Sequence, residues 1–445
     1  MSDANRNQVW ARALLDELAR SGVRHVVLAP GSRSTPLVLA AHAHGGLALH
    51  LCLDERSAAF FALGIGRASG HPAAVITTSG TAVANLLPAA VEADRAEVPL
   101  LLVTADRPRE LRDADANQSV TQPGLFATCA RAAWDLMHAE LTDDALRHLR
   151  GVACRAVAAA RGPGAGPVHV NVPLRKPLEP EAVETDRAAT AALDAEAREG
   201  RAGGAPWVRI ERAPATPASA SLERVRARVA EAARPLVVAG HLPVGAGETV
   251  RRAAAALGMP ILADPLSGVR FGPGGGAPRV TVYDTLLRDA ELARSLEPDL
   301  IVQLGRTPTS AVTARWLAGC GAVRIVIDDG PLWKDHRATA HEVIDAAPAE
   351  TLAALASGIG VREAAGDEAR ATWHATWHTV EEAARAVYAG DLASDELAVA
   401  RAAVEHTPAG VPLFVSSSMP IRDVDTISGA DERALPIFGN RGASG

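Results

Sequence analysis

Cysteine is scarce in this sequence, and the residues that are present lie far apart. The four cysteines are Cys52, Cys129, Cys154 and Cys320. No pair has the spacing of a zinc-ligand set or of a redox motif, and the number is low for a disulfide scaffold. Cys52 and Cys320 lie beside apolar runs, which is typical of small core residues. A fold held together by disulfide bonds or by zinc is therefore not expected.

The sequence also lacks targeting and membrane-spanning segments. Its first residues, MSDANRNQVW, are polar and have neither the basic start nor the apolar stretch of a signal peptide. No apolar run is long enough to cross a bilayer. We therefore expect a cytoplasmic protein without a membrane span.

An excess of positive charge is absent as well. The net charge is -7 at pH 7, which provides no electrostatic footprint for nucleic acid or for an anionic membrane, so neither is an expected partner. Lysine occurs only as Lys176 and Lys334, and Arg supplies the other basic side chains. An Arg beside a Gly-rich turn favours a carboxylate ligand, because the planar guanidinium group matches the two oxygens of a carboxylate.

Short β-branched runs alternate along the 445 residues with long Ala/Leu/Arg-rich stretches of helical period. This pattern predicts an α/β fold of doubly wound parallel-sheet domains covered by helices, and the length is too great for one core. Predicted strands lie at 26–29, 73–77, 100–105, 168–172, 236–239, 260–263, 300–304, 324–327, 413–416 and 435–438. Predicted helices lie at 9–21, 35–44, 54–69, 80–92, 143–160, 371–389 and 394–406.

Changes in composition suggest the domain limits. The first α/β domain takes residues 1–178, and residues 179–219 have the Ala/Glu/Arg/Gly/Pro-rich composition of a linker. A central α/β domain follows at 220–360, with a softer boundary near 358–367. The third domain begins in 361–445 and is expected to be incomplete.

The expectation of an incomplete third domain comes from its size and its end. It has about 80 residues, whereas domains typically have ~100–150. It ends in FGNRGASG, where a strand runs into a Gly-rich turn, and two parallel strands with an uncovered edge cannot bury a core. We therefore expect a truncated sequence, and a naturally short variant is the alternative.

Four polar turns follow predicted strands of the first domain. Their sequences are LAPGSRST (28–35), LHLCLDER (49–56), ITTSGTAVAN (76–85) and TADRPRE (104–110), the last of which is followed by Asn117 and Gln118. Turns at the carboxyl edge of a parallel sheet converge on a crevice, where open α/β folds bind ligands. In the first turn, the amides of a helix start and the charge of Arg33 favour an anion, although a plain strand–helix turn with a solvated Arg33 is the alternative.

Glu55 comes just before a helix that is apolar over most of its surface. An acidic residue at a helix start is ordinarily explained by its favourable interaction with the helix dipole. At a buried interface, however, the carboxyl group of Glu55 would be desolvated and suited to proton exchange near neutrality. The residues alone leave both interpretations open.

Six motifs give the sequence a resemblance to a known family. In order, they are APGSRSTPL, DERSAAFFALGIGRASG, TTSGTAVANLLPAAVEA, VTADRPRELRDADANQ, SSSMPIR and GNRGASG. Together they resemble the 2-succinyl-5-enolpyruvyl-6-hydroxy-3-cyclohexene-1-carboxylate synthases, which are thiamine-diphosphate-dependent transferases of menaquinone biosynthesis. The resemblance covers the whole sequence and is strongest before Pro173. Other members of the thiamine diphosphate superfamily share mainly the Glu with this synthase.

The resemblance implies an activity, cofactors and an assembly. Such enzymes decarboxylate 2-oxoglutarate and add the resulting carbanion to isochorismate by conjugate addition, using thiamine diphosphate with Mg²⁺ or Mn²⁺. Their pyrimidine-binding, central and diphosphate-binding domains follow one another, and the cofactor lies between two subunits, which implies a homodimer or homotetramer. Glu55 matches the catalytic Glu that hydrogen-bonds to the aminopyrimidine ring, and Pro30 and Thr78 are assigned with it to cofactor binding.

The resemblance also implies a set of residues that bind the substrate carboxylates. On the isochorismate side these are Ser32, Arg33, Arg107, Asn117 and Gln118. On the 2-oxoglutarate side they are Ser418, Arg422 and Arg441. Burying several Arg side chains without an anion is unfavourable, so an anionic ligand explains them. Without the resemblance, an exposed turn would be the better interpretation of Ser418 and Arg422.

The sequence departs from the family pattern at two places. Ala311 stands where the family has a Lys, and Arg315, four residues later on the same helical face, is the candidate to supply the missing charge. The Gly-Asp-Gly…Asn segment that holds magnesium and the cofactor diphosphate is expected beyond Gly445, so no metal ligand is assigned within the sequence. The 445 residues alone are therefore expected to bind neither Mg²⁺ nor cofactor tightly and to be inactive.

Three other interpretations compete with this one. The first is a different thiamine-diphosphate-dependent 2-oxoacid decarboxylase or synthase, and the second is a non-catalytic truncated remnant. A nucleotide-binding central domain is the third. Its Gly-rich run FGPGGGAP (271–278) does not open a helix directly after a strand, which the dinucleotide-binding pattern requires.

Overall fold

Two units make up the chain, and each contains a six-stranded parallel sheet. The computed structural model describes residues 1–274, 276–357, 368–390 and 395–443. The units are Met1–Ala213 and Pro214–Gly445. Both sheets are parallel in every pairing, and α-helices lie between most successive strands, so the predicted α/β fold class is confirmed.

The sheet of the first unit is buried at its centre. Its strands are β1 (His25–Leu28), β2 (Ala48–Leu51), β3 (Ala73–Thr77), β4 (Leu100–Asp106), β5 (Ala132–Asp135) and β6 (Pro167–Pro173). They lie in the order β2-β1-β3-β4-β6-β5. Every residue of β3, β4 and β6 is buried, as expected for parallel strands that helices cover on both faces.

Helices cover both faces of this sheet. They are α1 (Asp3–Arg20), α2 (Thr35–Ala43), α3 (Glu55–Ser69), α4 (Thr81–Ala84), α5 (Leu87–Ala96), α6 (Asp143–Arg161), α7 (Glu184–Ala191) and α8 (Ala195–Glu199). Leu101 and Val103 of β4 pack with α1, α2 and α6, whereas Leu100 and Leu102 pack with α3 and α5 on the other face. The alternation follows from the two-residue period of a strand.

The predicted helix 80–92 is wrong, because the chain forms two helices there. Helix α4 ends at Ala84, and α5 begins at Leu87, with Pro88 in its first turn. Proline has no backbone N–H and its ring clashes with the preceding turn, so a helix is interrupted before it. The interruption leaves Asn85 at the end of a short helix directly after β3.

The predicted linker contains regular structure. Helices α7 and α8 lie within it, and Ala197 of α8 is fully buried. Arg150 of α6 donates to the carbonyl of Ala197 at 2.8 Å and to that of Arg198 at 2.7 Å. The domain limits 1–178, 179–219, 220–360 and 361–445 stay a prediction, and the boundary segment 358–367 lies outside the described residues.

The second unit has its own sheet and a separate pair of strands. Its strands are β7 (Pro235–Ala239), β8 (Ile261–Ala263), β9 (Arg279–Val280), β10 (Leu300–Leu304), β11 (Val323–Asp328), β12 (Glu342–Asp345), β13 (Leu413–Val415) and β14 (Ile437–Gly439). The sheet order is β12-β11-β10-β7-β8-β9, and β13 pairs with β14 in parallel. The described helices are α9 (Ser219–Glu231), α10 (Ala246–Ala256), α11 (Tyr283–Leu286), α12 (Ala290–Ser295), α13 (Ala311–Gly319), α14 (Pro348–Ser357), α15 (Glu368–Tyr388), α16 (Glu396–His406) and α17 (Met419–Ile427).

The strands that sequence analysis missed are edge strands. They are β5, β9 and β12, and each lies at the end of its sheet. In β12 only Ile344 is buried. An edge strand pairs on one side and is partly solvated, so it lacks the continuous apolar run by which the central strands were recognised.

Candidate functional site

The turns after β1 and β3 lie in close contact. A Cβ atom at Gly31 would lie 2.3 Å from Cβ of Thr78, so only glycine fits at this position. Thr78 is buried, whereas Pro30 and Ser32 are exposed. The structure therefore brings the first and third predicted turns together at the carboxyl edge of the sheet.

Arg33 is a buried cation without a carboxylate partner among the described residues. It is 6% exposed, and its Nη1 donates to the carbonyl of Leu174 at 2.7 Å, while its Nε has no hydrogen-bond partner within the described ranges. Burial lowers the pKa of Arg33, and the charge of Arg107 lowers it further, whereas Asp106 opposes the shift. The guanidinium group is thus poorly satisfied by the protein itself and suited to an anion.

Arg107 is the second buried cation of this region, and it is 9% exposed. Its Nε and Nη2 donate to the carbonyl of Asn117 at 3.2 and 2.7 Å, and its Nη1 donates to Oγ of Ser79. Burial lowers the pKa of Arg107, and Asp106 opposes this. Asn117 contacts Arg107 through its backbone, so its own exposed side chain remains available to a ligand.

Gln118 and Ser79 connect the third and fourth turns. Gln118 has a φ of 58°, and its Nε2 donates to the carbonyl of Ser79 at 2.9 Å. Cγ of Gln118 would lie 2.8 Å from a Cβ at Gly80. Sequence analysis missed Ser79, although its place in the TTSGT turn next to Thr78 was a usable signal.

A network of buried hydrogen bonds links the turns after β3 and β4 to the sheet. Oδ1 of Asp106 accepts the amide of Arg107 at 2.7 Å, and Oδ2 accepts Nδ2 of Asn171 at 2.8 Å. Gln122 donates to Oδ1 of Asn171 at 2.8 Å and accepts the amide of Gly80 at 3.0 Å. Burial raises the pKa of Asp106, and the hydrogen bond from Asn171 opposes this. The network fixes the third and fourth turns to the interior of the sheet.

Glu55 begins helix α3 and is half-buried. Its Oε2 accepts Nδ2 of Asn85 at 3.0 Å, a contact that the break between α4 and α5 makes accessible. The single chain leaves this carboxyl group half-exposed, and its enclosure at an interface stays a prediction. Helix α3 buries Ala58, Ala59 and Ala62 against the sheet, but Glu55 lies in the first turn, beyond the covered part.

The turns after β13 and β14 meet at one edge of the small sheet in the second unit. Oγ of Ser417 donates to the carbonyl of Asn440, which joins the turn of Ser418 to that of Arg441. Ser418 has a φ of 71° and precedes α17, where Arg422 lies exposed. The structure thus brings Ser418 and Arg441 into neighbouring turns.

Arg306 lies beside Arg441 and was missed by sequence analysis. Its Nη1 donates to the carbonyl of Arg441 at 3.4 Å, and its buried Nη2 has no hydrogen-bond partner among the described residues. Arg306 lies two residues after the end of β10. A position just after a strand is also what made Arg107 a candidate from the sequence. Ala311 begins α13 and is exposed, as is Arg315.

Over residues 1–274, 276–357, 368–390 and 395–443, no three His, Cys, Asp or Glu side chains group as metal ligands. Within the same ranges, none of the helices combines the length and the apolar character needed to cross a membrane.

Comparisons with known proteins agree with the architecture. Residues 9–127 match the family described as thiamine pyrophosphate enzyme, N-terminal TPP binding domain. The chain is 46% identical over 451 residues to 2-succinyl-5-enolpyruvyl-6-hydroxy-3-cyclohexene-1-carboxylate synthase of Halobacterium salinarum, covering 100% of this chain and 76% of that protein. Proteins of the same name from Myxococcus xanthus and Geobacillus kaustophilus are 42% and 41% identical, over 100% and 99% of this chain and 74% of each relative.

Proposed function

This chain belongs to the 2-succinyl-5-enolpyruvyl-6-hydroxy-3-cyclohexene-1-carboxylate synthases, and on that premise we propose that it joins carbon from 2-oxoglutarate to isochorismate. The enzymes of this family are thiamine-diphosphate-dependent and serve menaquinone biosynthesis. The observation that carries the proposal is the pair of buried cations Arg33 and Arg107, of which Arg33 has no carboxylate partner among the described residues. Such a pair suits the carboxylates of isochorismate.

The residues around Glu55 fit an aminopyrimidine ring. Asn85 holds Oε2 of Glu55, which orients the carboxyl group and leaves Oε1 to meet a ring nitrogen. Thr78 and the turn at Pro30 would flank the same ring. When bound, thiamine diphosphate supplies an electron sink that allows a 2-oxo acid to lose carbon dioxide. Glu55 would hold and return a proton at the pyrimidine nitrogen.

Two groups of residues would bind the substrates. On the proposed isochorismate side, Ser32 adjoins Arg33 in the chain, the backbone of Asn117 contacts Arg107, and Gln118 contacts Ser79. Their hydroxyl and amide groups would complete the carboxylate and hydroxyl contacts. Ser418, Arg422 and Arg441 are proposed for the far carboxylate of 2-oxoglutarate. Arg306 is a further candidate there, because its Nη2, which has no hydrogen-bond partner in the described part of the chain, would provide the charge that Ala311 lacks.

The proposed cofactor set includes Mg²⁺, or Mn²⁺ in its place, as the companion of the diphosphate. Divalent cations of this kind neutralise phosphate oxygens and are bound through oxygen ligands. No described residue is assigned as a metal ligand. The proposed setting is cytoplasmic.

A homodimer or homotetramer is proposed from the surface around Glu55. Leu51 is 72% exposed, Leu53 is 83% exposed and Phe61 is 47% exposed. Clustered apolar side chains of this size are typical of surfaces that meet another protein. A second copy of the chain would cover them and remove water from Glu55.

A substrate comparison tests the proposed reaction. The intact enzyme is incubated with thiamine diphosphate, Mg²⁺, isochorismate and either 2-oxoglutarate or pyruvate, and carbon dioxide and adduct are measured. We expect adduct with 2-oxoglutarate and little with pyruvate, because pyruvate has no second carboxylate. Glu55→Gln should lower the rate at least about 100-fold, and the exposed Glu179→Gln should not. A preference for pyruvate would favour a different 2-oxoacid enzyme, and cofactor binding without turnover would favour a non-catalytic protein.

A further inference from the structure

Arg270 is a fully buried cation of the second unit that no step of the proposed reaction uses. It is 0% exposed. Its Nε and Nη2 donate to the carbonyl of Ala263 at 2.9 and 2.7 Å, and Nη2 also donates to the carbonyl of Thr281 at 3.2 Å. Ala263 ends β8 and Thr281 follows β9, so one edge of the guanidinium group is fixed to the sheet.

The other edge of the same guanidinium group caps the end of helix α17. Nη1 donates to the carbonyls of Val424, Asp425 and Ser428 at 3.2, 3.1 and 3.1 Å. The last carbonyls of a helix have no partner within the helix and carry the negative end of its dipole. Here a buried cation satisfies the carbonyls of Asp425 and Ser428 out of reach of solvent, while the carbonyl of Val424 accepts both this cation and the amide of Ser428.

Asp425 completes the attachment from the side of the helix. Its Oδ1 accepts Nη2 of Arg270 at 2.7 Å and Oη of Tyr283 at 2.7 Å. Burial raises the pKa of Asp425 to about 7, and the charge of Arg270 opposes the rise. Removing Arg270 would leave the Asp425 carboxyl group and the helix carbonyls without their buried partner, which is unfavourable.

Two of the proposed substrate residues lie at the start of α17. Ser418 directly precedes the helix, and Arg422 lies one turn into it. The side chain of Arg422 is exposed, and its hydrogen-bond partner among the described residues is Sδ of Met419 at 3.9 Å. Within the described part of the chain, Arg422 therefore has no hydrogen-bond partner outside its own helix, and the orientation of α17 determines where its guanidinium group lies.

We propose that Arg270 is a positioning residue that fixes α17 to the sheet and thereby places Ser418 and Arg422. The inference rests on the proposed role of these two residues in binding the carboxylate of the 2-oxo acid. Helix α17 has nine residues, so a tilt at its C-terminal end would displace the groups at its start. A misplacement of about 1 Å is enough to change a rate constant ~100-fold.

The test compares Arg270→Met with Arg251→Met in the intact enzyme. Arg251 is a matched control because it is also buried and donates to the backbone carbonyls of Gly268 and Phe271, outside α17. Amide hydrogen exchange of residues 419–427 is measured together with the KM for each substrate. For Arg270→Met we expect faster exchange and a KM for 2-oxoglutarate raised about tenfold, with the KM for isochorismate unchanged. The control should show neither change.

Two milder variants keep the proposal testable if Arg270→Met does not fold. Arg270→Lys retains the charge but cannot contact sheet and helix together, because it lacks the planar fork. Tyr283→Phe removes one donor to Asp425. Both should accelerate exchange in residues 419–427 relative to Arg251→Met. Unchanged exchange and unchanged KM in both would overturn the proposal.

Arg422→Ala distinguishes a failure of this inference from a failure of the proposed function. If Arg422→Ala raises the KM for 2-oxoglutarate and the Arg270 variants do not, Arg270 is not a positioning residue. If Arg422→Ala leaves that KM unchanged, the proposed substrate role of Arg422 is wrong. Hydrogen exchange of residues 419–427 then decides whether Arg270 orients the helix.

Discussion

Among single side chains, the buried arginines of the first unit show how a ligand site differs from a stable core. Burial lowers the pKa of both Arg33 and Arg107, and the charge of Arg107 lowers that of Arg33 further. A guanidinium group in this state destabilises the unliganded fold and is stabilised by a bound anion. Removing the charge of such an arginine should therefore weaken substrate binding and leave the free energy of unfolding unchanged or higher.

Replacing Arg33 by Met should weaken substrate binding without destabilising the protein. We expect the KM for isochorismate to rise at least about 30-fold, because a charge-assisted hydrogen bond is lost. The free energy of unfolding should stay the same or increase, since an unsatisfied buried charge is removed. Steady-state kinetics and urea unfolding measure the two effects. Arg109→Met is the control, because the Arg109 side chain is 60% exposed, and a loss of stability in Arg33→Met would contradict the argument.

His169 should make the stability depend on pH. Burial lowers its pKa from 6.5 to about 4, so between these values the unfolded chain binds a proton that the folded chain does not. The contribution of His169 to the free energy of unfolding is therefore fully present above pH 6.5. It is lost as the pH decreases to 4, and the free energy of unfolding falls by about 3 kcal/mol over this range. Urea unfolding across this range measures the slope. His169→Gln, which keeps a partner for Oγ1 of Thr104, should flatten it, and an unchanged slope would refute the assignment.

For strands and turns, close packing at the sheet edge determines where the candidate residues lie. Gly31 allows the turn after β1 to rest on Thr78, and Gly80 allows the next turn to rest on Gln118. Sequence motifs identified both turns, but the contact between them depends on the order β1-β3-β4 in the sheet. Glycine is needed at both positions because a Cβ atom would occupy space that the neighbouring turn already fills.

Gly31→Ala should disturb the turn after β1. The new Cβ would lie 2.3 Å from Cβ of Thr78, and the resulting overpacking is expected to lower the free energy of unfolding by about 1–3 kcal/mol. Thermal or urea unfolding measures the change. Gly64→Ala in helix α3 is the matched control, because a Cβ there meets no atom within 4 Å and alanine favours a helix. Equal effects in both variants would show that the contact with Thr78 is unimportant.

For the chain taken as a whole, the exposed apolar side chains near Glu55 support the proposed assembly. Leu51 and Leu53 lie between the end of β2 and the start of α3, beside a carboxyl group that the first unit leaves half-exposed. A second subunit over this surface would desolvate Glu55, as its proposed role requires.

Leu53→Asp should weaken self-association more than it weakens folding. Leu53 is 83% exposed within the chain, so its loss should change the free energy of unfolding of a subunit little. A buried charge in an interface should raise the dissociation constant at least about tenfold. Analytical ultracentrifugation measures the association, and Val208→Asp, at a position 48% exposed elsewhere in the first unit, is the control. Equal association of both variants would place the interface elsewhere.

Sequence analysis recovered the central strands closely. Strands 73–77 and 300–304 were predicted with the bounds that the structure has, because both are continuous apolar runs buried on both faces. The break before Pro88 and the edge strand Glu342–Asp345 were missed. The first is a local signal that was overlooked, whereas the second depends on a neighbouring strand that the local sequence does not specify.

Sequence motifs alone pointed to the turns that carry Arg33, Arg107 and Glu55, and to the family, because strand ends, glycine turns and helix starts are local patterns. Burial of a given arginine, the lack of a hydrogen-bond partner for Nη2 of Arg306 among the described residues, and the attachment of α17 by Arg270 could not be deduced in this way. Arg270 and the carbonyls that it caps are 154 to 158 positions apart, and such contacts exist only once the chain has folded. Local patterns set the backbone conformation, whereas burial and charge pairing depend on which distant segments the fold brings together.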